Sequence, residues 1–178
     1  MITLPMGGLT MACQPVVSYN FGARKPKRVK SAVIDALIVC LVFTAIMTVV
    51  SQFLPQYFVR IFSDDAAVSA VAIRGMSVYS AGILILSVQY VAVDLLIALG
   101  VIGPATFLSL FRKISIITLT AVLPIYLGSF YAFFAEPIVD TLSGILAGFV
   151  FCFAYIKTMK KYGMNYAESH SEKADIQS

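Results

Sequence analysis

Charge is what this 178-residue sequence has least of. Asp, Glu, Lys and Arg make up 12% of it, where a soluble domain carries about a quarter. Too few charges are present to solvate a globular surface, which excludes an ordinary water-soluble domain. Tryptophan is absent and histidine occurs once, as His170 in the polar tail GMNYAESHSEKADIQS, which reads as a disordered terminus. The three cysteines, Cys13, Cys40 and Cys152, lie far apart in apolar segments, so neither a disulfide framework nor metal spacing takes shape. No phosphate-binding loop, no catalytic carboxylate pair on a soluble face and no nucleophile with a His partner occurs. These absences exclude an enzyme and give no reason to expect a metal or cofactor. Transport powered by ATP would need a Walker motif, so an ion gradient is the expected energy source.

What fills the chain is apolar: 60% hydrophobic residues and a mean hydropathy of +0.90. Charge is missing from Met1–Ala23, Ala36–Leu54, Met76–Val93 and Ile114–Ala135, and Pro137–Ile156 holds only Asp140. About 20 residues of helix cross a hydrocarbon core of about 30 Å. The pattern predicts an all-α polytopic membrane bundle with helices near Ser31–Leu54, Gly75–Leu99, Leu108–Leu127 and Pro137–Ile156. Met1–Phe21 is a weaker fifth, with Pro5, Gly7 and Gly8 near its start. It makes a poor signal peptide, having no basic region and no cleavage pattern; it reads as a helix entered partway along.

Lys and Arg gather on the cytoplasmic side of membrane proteins. Arg24, Lys25, Lys27, Arg28 and Lys30 cluster within seven residues, Arg112 and Lys113 follow the Gly75–Leu99 run, and Lys157, Lys160 and Lys161 follow the last run. These sites fall on one side of an alternating topology, which predicts a cytoplasmic C-terminus. The clusters abut apolar segments and lack interleaved aromatics, which speaks for membrane anchoring and against nucleic acid. Gly22 is expected to end the first helix in a left-handed conformation, Pro26 to stop it, and Asp35 to sit in the first turn of the next.

Gln14-Pro15, then Ser18-Tyr19-Asn20-Phe21-Gly22-Ala23 and the basic run Arg24–Lys30, resemble the start of the C-terminal half of a MATE (multidrug and toxic compound extrusion) transporter. IFSDDAAV, Ile61 to Val68, resembles the family's outer loop, and Ala98–Gly100 the inner end of its tenth helix. Leu108–Lys113 resembles the entry to the eleventh, and Glu136–Gly144 the start of the twelfth. The MepA-like bacterial branch is the most similar in flavour. The resemblance implies a C-terminal bundle over residues 1–161, a tail over 162–178, and a missing N-terminal bundle. It implies a bacterial inner-membrane location and export of amphipathic cationic drugs in exchange for Na⁺ or H⁺. Other readings stay open: a truncated, transport-inactive fragment, a lipid-linked saccharide flippase of the same superfamily, or a half-transporter pairing with a second copy.

Asp94, in YVAVDLLIALG, is the sharpest candidate. An ionisable group within a membrane helix is costly and marks a cation or proton site; the bland alternative is an interfacial Asp paired with Arg112 or Lys113. Gln89 and Tyr90 precede it by five and four residues and share a helix face with it, fit for hydrogen bonds and cation–π contact with a drug, or for interhelical bonding. Gln14 is expected to support the cavity. Pro15 and Pro124 are expected to bend their helices. Glu136 and Asp140 read as an outer-mouth pair or an interfacial cap. Gly144 and Gly148 form a GxxxG packing face.

Overall fold

The computed structural model describes residues 3–53, 55, 59, 66–80, 82–128 and 131–163. The loop motif Ile61–Val68 and the tail therefore lie largely outside the described residues. Those described form six helices and no strand: α1 Thr3–Gly22, α2 Pro26–Phe53, α3 Ala66–Ser80, α4 Ile83–Ala98, α5 Ile102–Leu127 and α6 Ala132–Lys161. The expectation of an all-α bundle holds.

Three helices are long and apolar enough to cross a membrane: α2, α5 over Ile102–Tyr126, and α6. Residues 72–80 of α3 and α4 pass the same test as a pair bent by 50°. The single crossing expected over Gly75–Leu99 is thus broken near Gly82. Gly82 packs tightly there: a Cβ on it would lie 2.8 Å from the Cα of Pro137. α1 is not among these spans; Gly7, Gly8, Thr10, Gln14 and Asn20 dilute its apolar character. It runs unbroken through Pro15, as α5 does through Pro124.

The α1–α2 turn differs from expectation, whereas α4 ends at Ala98–Gly100 as expected. At the α1–α2 turn Gly22 is the last helical residue, and Arg24 takes the left-handed conformation, φ 52°. Lys25 N–H reaches back to the Asn20 carbonyl, which closes the helix around Arg24. Pro26 opens α2 rather than stopping α1, suiting the first helical position where no N–H is needed. Asp35 consequently lies beyond the first turn. At the end of α4, Gly100 takes φ 74°, and Val101 N–H bonds the Leu96 carbonyl. Only glycine holds that conformation without cost.

α4 is the centre of the bundle, packing against α1, α2, α5 and α6. It is largely apolar, as a central helix must be, with Gln89, Tyr90 and Asp94 among its polar exceptions. Val91 and Leu95 face one core cluster with Val17, Val29, Ala36 and Cys40. Ala92 and Leu96 face a second with Ala105, Leu108, Ala147 and Ala154. The outer stripes are apolar too: Ile38, Val42, Ile46 and Val49 on α2, and Leu142, Ile145, Phe149 and Phe153 on α6. Spacings of three and four residues place each stripe on one helix face, as a surface turned to lipid requires.

The α4–α6 crossing rests on Gly144, where a Cβ would lie 2.4 Å from the Ile85 carbonyl oxygen. At Gly148 the nearest atom, on Val88, is at an ordinary 3.8 Å. Gly144→Ala is therefore expected to destabilise the bundle by about 1–3 kcal/mol, and Gly148→Ala to be tolerated. Thermal melts of the two variants in detergent, read by size-exclusion chromatography, test the contrast; equal melting would refute it.

Candidate functional site

Where α1, α4 and α5 meet, the helices enclose a cavity of about 250 Å³. α4 supplies Gln89, Tyr90, Val93 and Asp94; α1 supplies Gly7 and Met11; α5 supplies Ser109, Arg112 and Lys113. Gly7 lets α1 pass the Tyr90 ring, 3.8 Å from where its Cβ would be. Of the residues singled out from sequence, Asp94, Gln89 and Tyr90 thus share one cavity. Gln14 is half-buried on α1 and is not among the lining residues.

Asp94 lies four residues from the end of α4, about 6 Å along its axis. It is not paired with Arg112. Its Oδ2 meets the hydroxyl of Thr10, which is 1% exposed and also lies 3.0 Å from the Gly7 carbonyl. The single hydroxyl proton serves one acceptor at a time. Thr10 was not singled out from sequence; its place three residues after Gly7, on the face of α1 that meets α4, is the signal that could have found it. Pro15 adds a second local feature. Having no N–H, it leaves the Met11 carbonyl without its usual helical donor.

Gln89 is 3% exposed. Its Nε2 donates to the Leu108 carbonyl at 3.2 Å, while Oε1 is buried without a partner. Such an orphan acceptor is costly unless something fills its place. Gln89 as a residue lines the cavity together with Asp94.

Arg112 was expected near the entry of the Leu108–Leu127 helix, and Glu136 and Asp140 across the start of the last helix, as an outer-mouth pair or interfacial cap. The structure sets all three well inside longer helices and brings them together. Arg112 is ten residues into α5, about 15 Å from its start. Asp140 is 2% exposed and accepts from Arg112 Nε at 3.0 Å and Nη2 at 2.9 Å. Glu136 Oε1 stands 3.9 Å from Nη2. The guanidinium also lies 6.0 Å from the Tyr90 ring centre. Both faces of Tyr90 are therefore not equally open: Arg112 takes one approach. The charged residues that line the cavity are Asp94, Arg112 and Lys113, and Asp140 and Glu136, outside the lining, offset the Arg112 charge.

This is a multi-spanning membrane bundle with a charged interior cavity, and comparison with known proteins places it more closely. The MatE family model matches residues 1–123. The chain belongs to that family, the MATE transporters. A search of curated proteins finds no match. Among solved structures, the fold is similar to the Vibrio cholerae MATE transporter VcmN in its bent form, with a TM-score of 0.75 at 16% identity. The match covers 84% of this chain and 34% of VcmN, so the chain spans about a third of that transporter's length.

Proposed function

We propose that this chain forms the C-terminal bundle of a secondary multidrug exporter that trades an amphipathic cationic drug for Na⁺ or H⁺. The carrying observation is the cavity that Asp94, Gln89 and Tyr90 line together. Two acceptors and a π face suit a cation with an aromatic body. One carboxylate in a low-dielectric site neutralises one cation well and two poorly, since the second meets like-charge repulsion. Drug and coupling ion would therefore exclude each other at Asp94, which is the condition for exchange. Occupancy of Asp94 competes with the Thr10 hydroxyl, so cation arrival loosens a tie between α1 and α4.

The test is transport in vesicles carrying this chain together with a first bundle. Uptake of a fluorescent lipophilic cation under an imposed Na⁺ or proton gradient, without ATP, is the expected result. Uptake that follows neither gradient would refute the reading.

The basic end, with Arg24, Lys25, Lys27, Arg28, Lys30, Lys157, Lys160 and Lys161, would face the cytoplasm of a bacterial plasma membrane. A green fluorescent protein fused after Ser178 is then expected to fluoresce, and an alkaline phosphatase fused at the same point to be inactive. The opposite pattern would invert the orientation.

A further inference from the structure

A second cavity, about 390 Å³, lies at the basic end, and none of its lining residues lines the site described above. It is bounded by the 99–101 turn, by Pro104 in the first turn of α5, and by a stripe of α6. That stripe runs Phe153, Ala154, Lys157, Thr158 and Lys161, residues at helical spacing on one face. From Phe153 to Lys161 it covers about 12 Å of helix axis. Its order is that of an amphiphile. Toward the bilayer it offers the outward-facing Phe153 ring and Pro104; toward the basic end it offers two ammonium groups. Thr158, between them, is largely buried and turns its hydroxyl-bearing side chain to the same cavity. Lys161 Nζ rests 5.8 Å from the Tyr162 ring centre. No carboxylate lines the cavity, and none occurs in residues 99–104 or 153–163. The first turn of α5 has no side-chain cap, so its N–H end adds to the positive field.

We propose that this cavity holds one anionic phospholipid, its phosphate between Lys157 and Lys161 and the start of an acyl chain on Phe153 and Pro104. The shared chemistry is a phosphate oxyanion; a free phosphate would use the lysines alone, whereas the apolar lower half of the cavity requires a lipid. Basic recesses between membrane helices select anionic headgroups in this manner.

The absence of tryptophan from the chain supplies the reporter. Phe153→Trp places a single indole on the lower wall. The full chain carrying it is placed in nanodiscs of phosphatidylcholine doped with brominated phosphatidylglycerol or, separately, brominated phosphatidylcholine. Quenching gives the relative association of the two lipids. The anionic lipid is expected to be preferred, by about fivefold for each lysine and about thirtyfold for both. Lys157→Gln with Lys161→Gln in that background is expected to bring the ratio close to one, and Lys157→Arg with Lys161→Arg to keep it. Lys25→Gln with Arg28→Gln removes the same charge elsewhere on that end and is expected to leave most of the preference in place. Helical circular dichroism confirms that each variant is folded. Equal quenching by the two lipids in the parent, or an equal loss in the control pair, would overturn the proposal. So would reversal of the quenching by millimolar inorganic phosphate, which would make the cavity a free-anion site.

Discussion

Asp94→Asn is expected to abolish gradient-driven efflux of lipophilic cations from a transporter completed with its first bundle, and to do so without unfolding it. The substitution keeps size and shape, and the amide oxygen still accepts from Thr10. What is lost is the charge. A hydrogen bond or ion contact to a charged group contributes about 1.5–3 kcal/mol, so cation binding weakens by roughly 10- to 150-fold. Stability moves the other way or not at all. An ionised Asp within a membrane helix costs about 2.5–3.5 kcal/mol near the bilayer centre and less toward its edge, and Asn lowers that cost. Initial efflux rates of a cationic dye and the melting temperature of the same preparation decide the matter together. Lost efflux at an unchanged or raised melting temperature places Asp94 in the transport step. Unchanged efflux removes it from the mechanism, and lost efflux with a lowered melting temperature makes it a structural residue.

The spans were legible in the sequence because hydrocarbon tolerates so few charges. Uninterrupted apolar runs mark α2, α4 and the outer halves of α5 and α6 wherever they occur. The same rule misplaced the start of α5. Counting apolar residues begins a span near Leu108 and leaves Arg112 and Lys113 close to its edge, whereas the helix starts at Ile102. A charge is admitted to the interior when a partner neutralises it, and the partner, Asp140, lies 28 residues away on another helix. No local pattern reports such a pairing. The tight packing of Gly82 was hidden for a related reason, since its neighbour Pro137 lies on α6. Of the site, the α4 side was readable: Gln89, Tyr90 and Asp94 share a helix face by spacing alone. Thr10 was not, because a hydroxyl gives no signal until its neighbour across the interface is known. Arg24 took the left-handed turn in place of Gly22 because the turn fell two residues later than glycine's position suggested.

Arg112→Ala is expected to be the most damaging single change to the fold. It leaves Asp140, 2% exposed, without the two bonds at 2.9 and 3.0 Å that compensate its burial. Breaking a buried pair by removing one partner costs about 3–5 kcal/mol, a large share of a total stability of about 5–15 kcal/mol. Removing both is a different matter. Replacing a buried ion pair with apolar residues of similar volume is often neutral or stabilising, so Arg112→Met with Asp140→Leu is expected to recover most of the loss. Melting of the wild type, the two single variants and the double variant closes the cycle. A double variant no better than its worse parent would mean that the pair does not act as a unit, and that Arg112 is held by Glu136 or Tyr90 instead. Recovery of stability with efflux still lost carries a further meaning. The guanidinium stands 6.0 Å from the Tyr90 ring that the drug is proposed to use. An ion pair dispensable for folding would then be kept for its position beside the cavity, where its positive charge limits how closely a cationic cargo approaches the α5–α6 side and directs it toward Asp94.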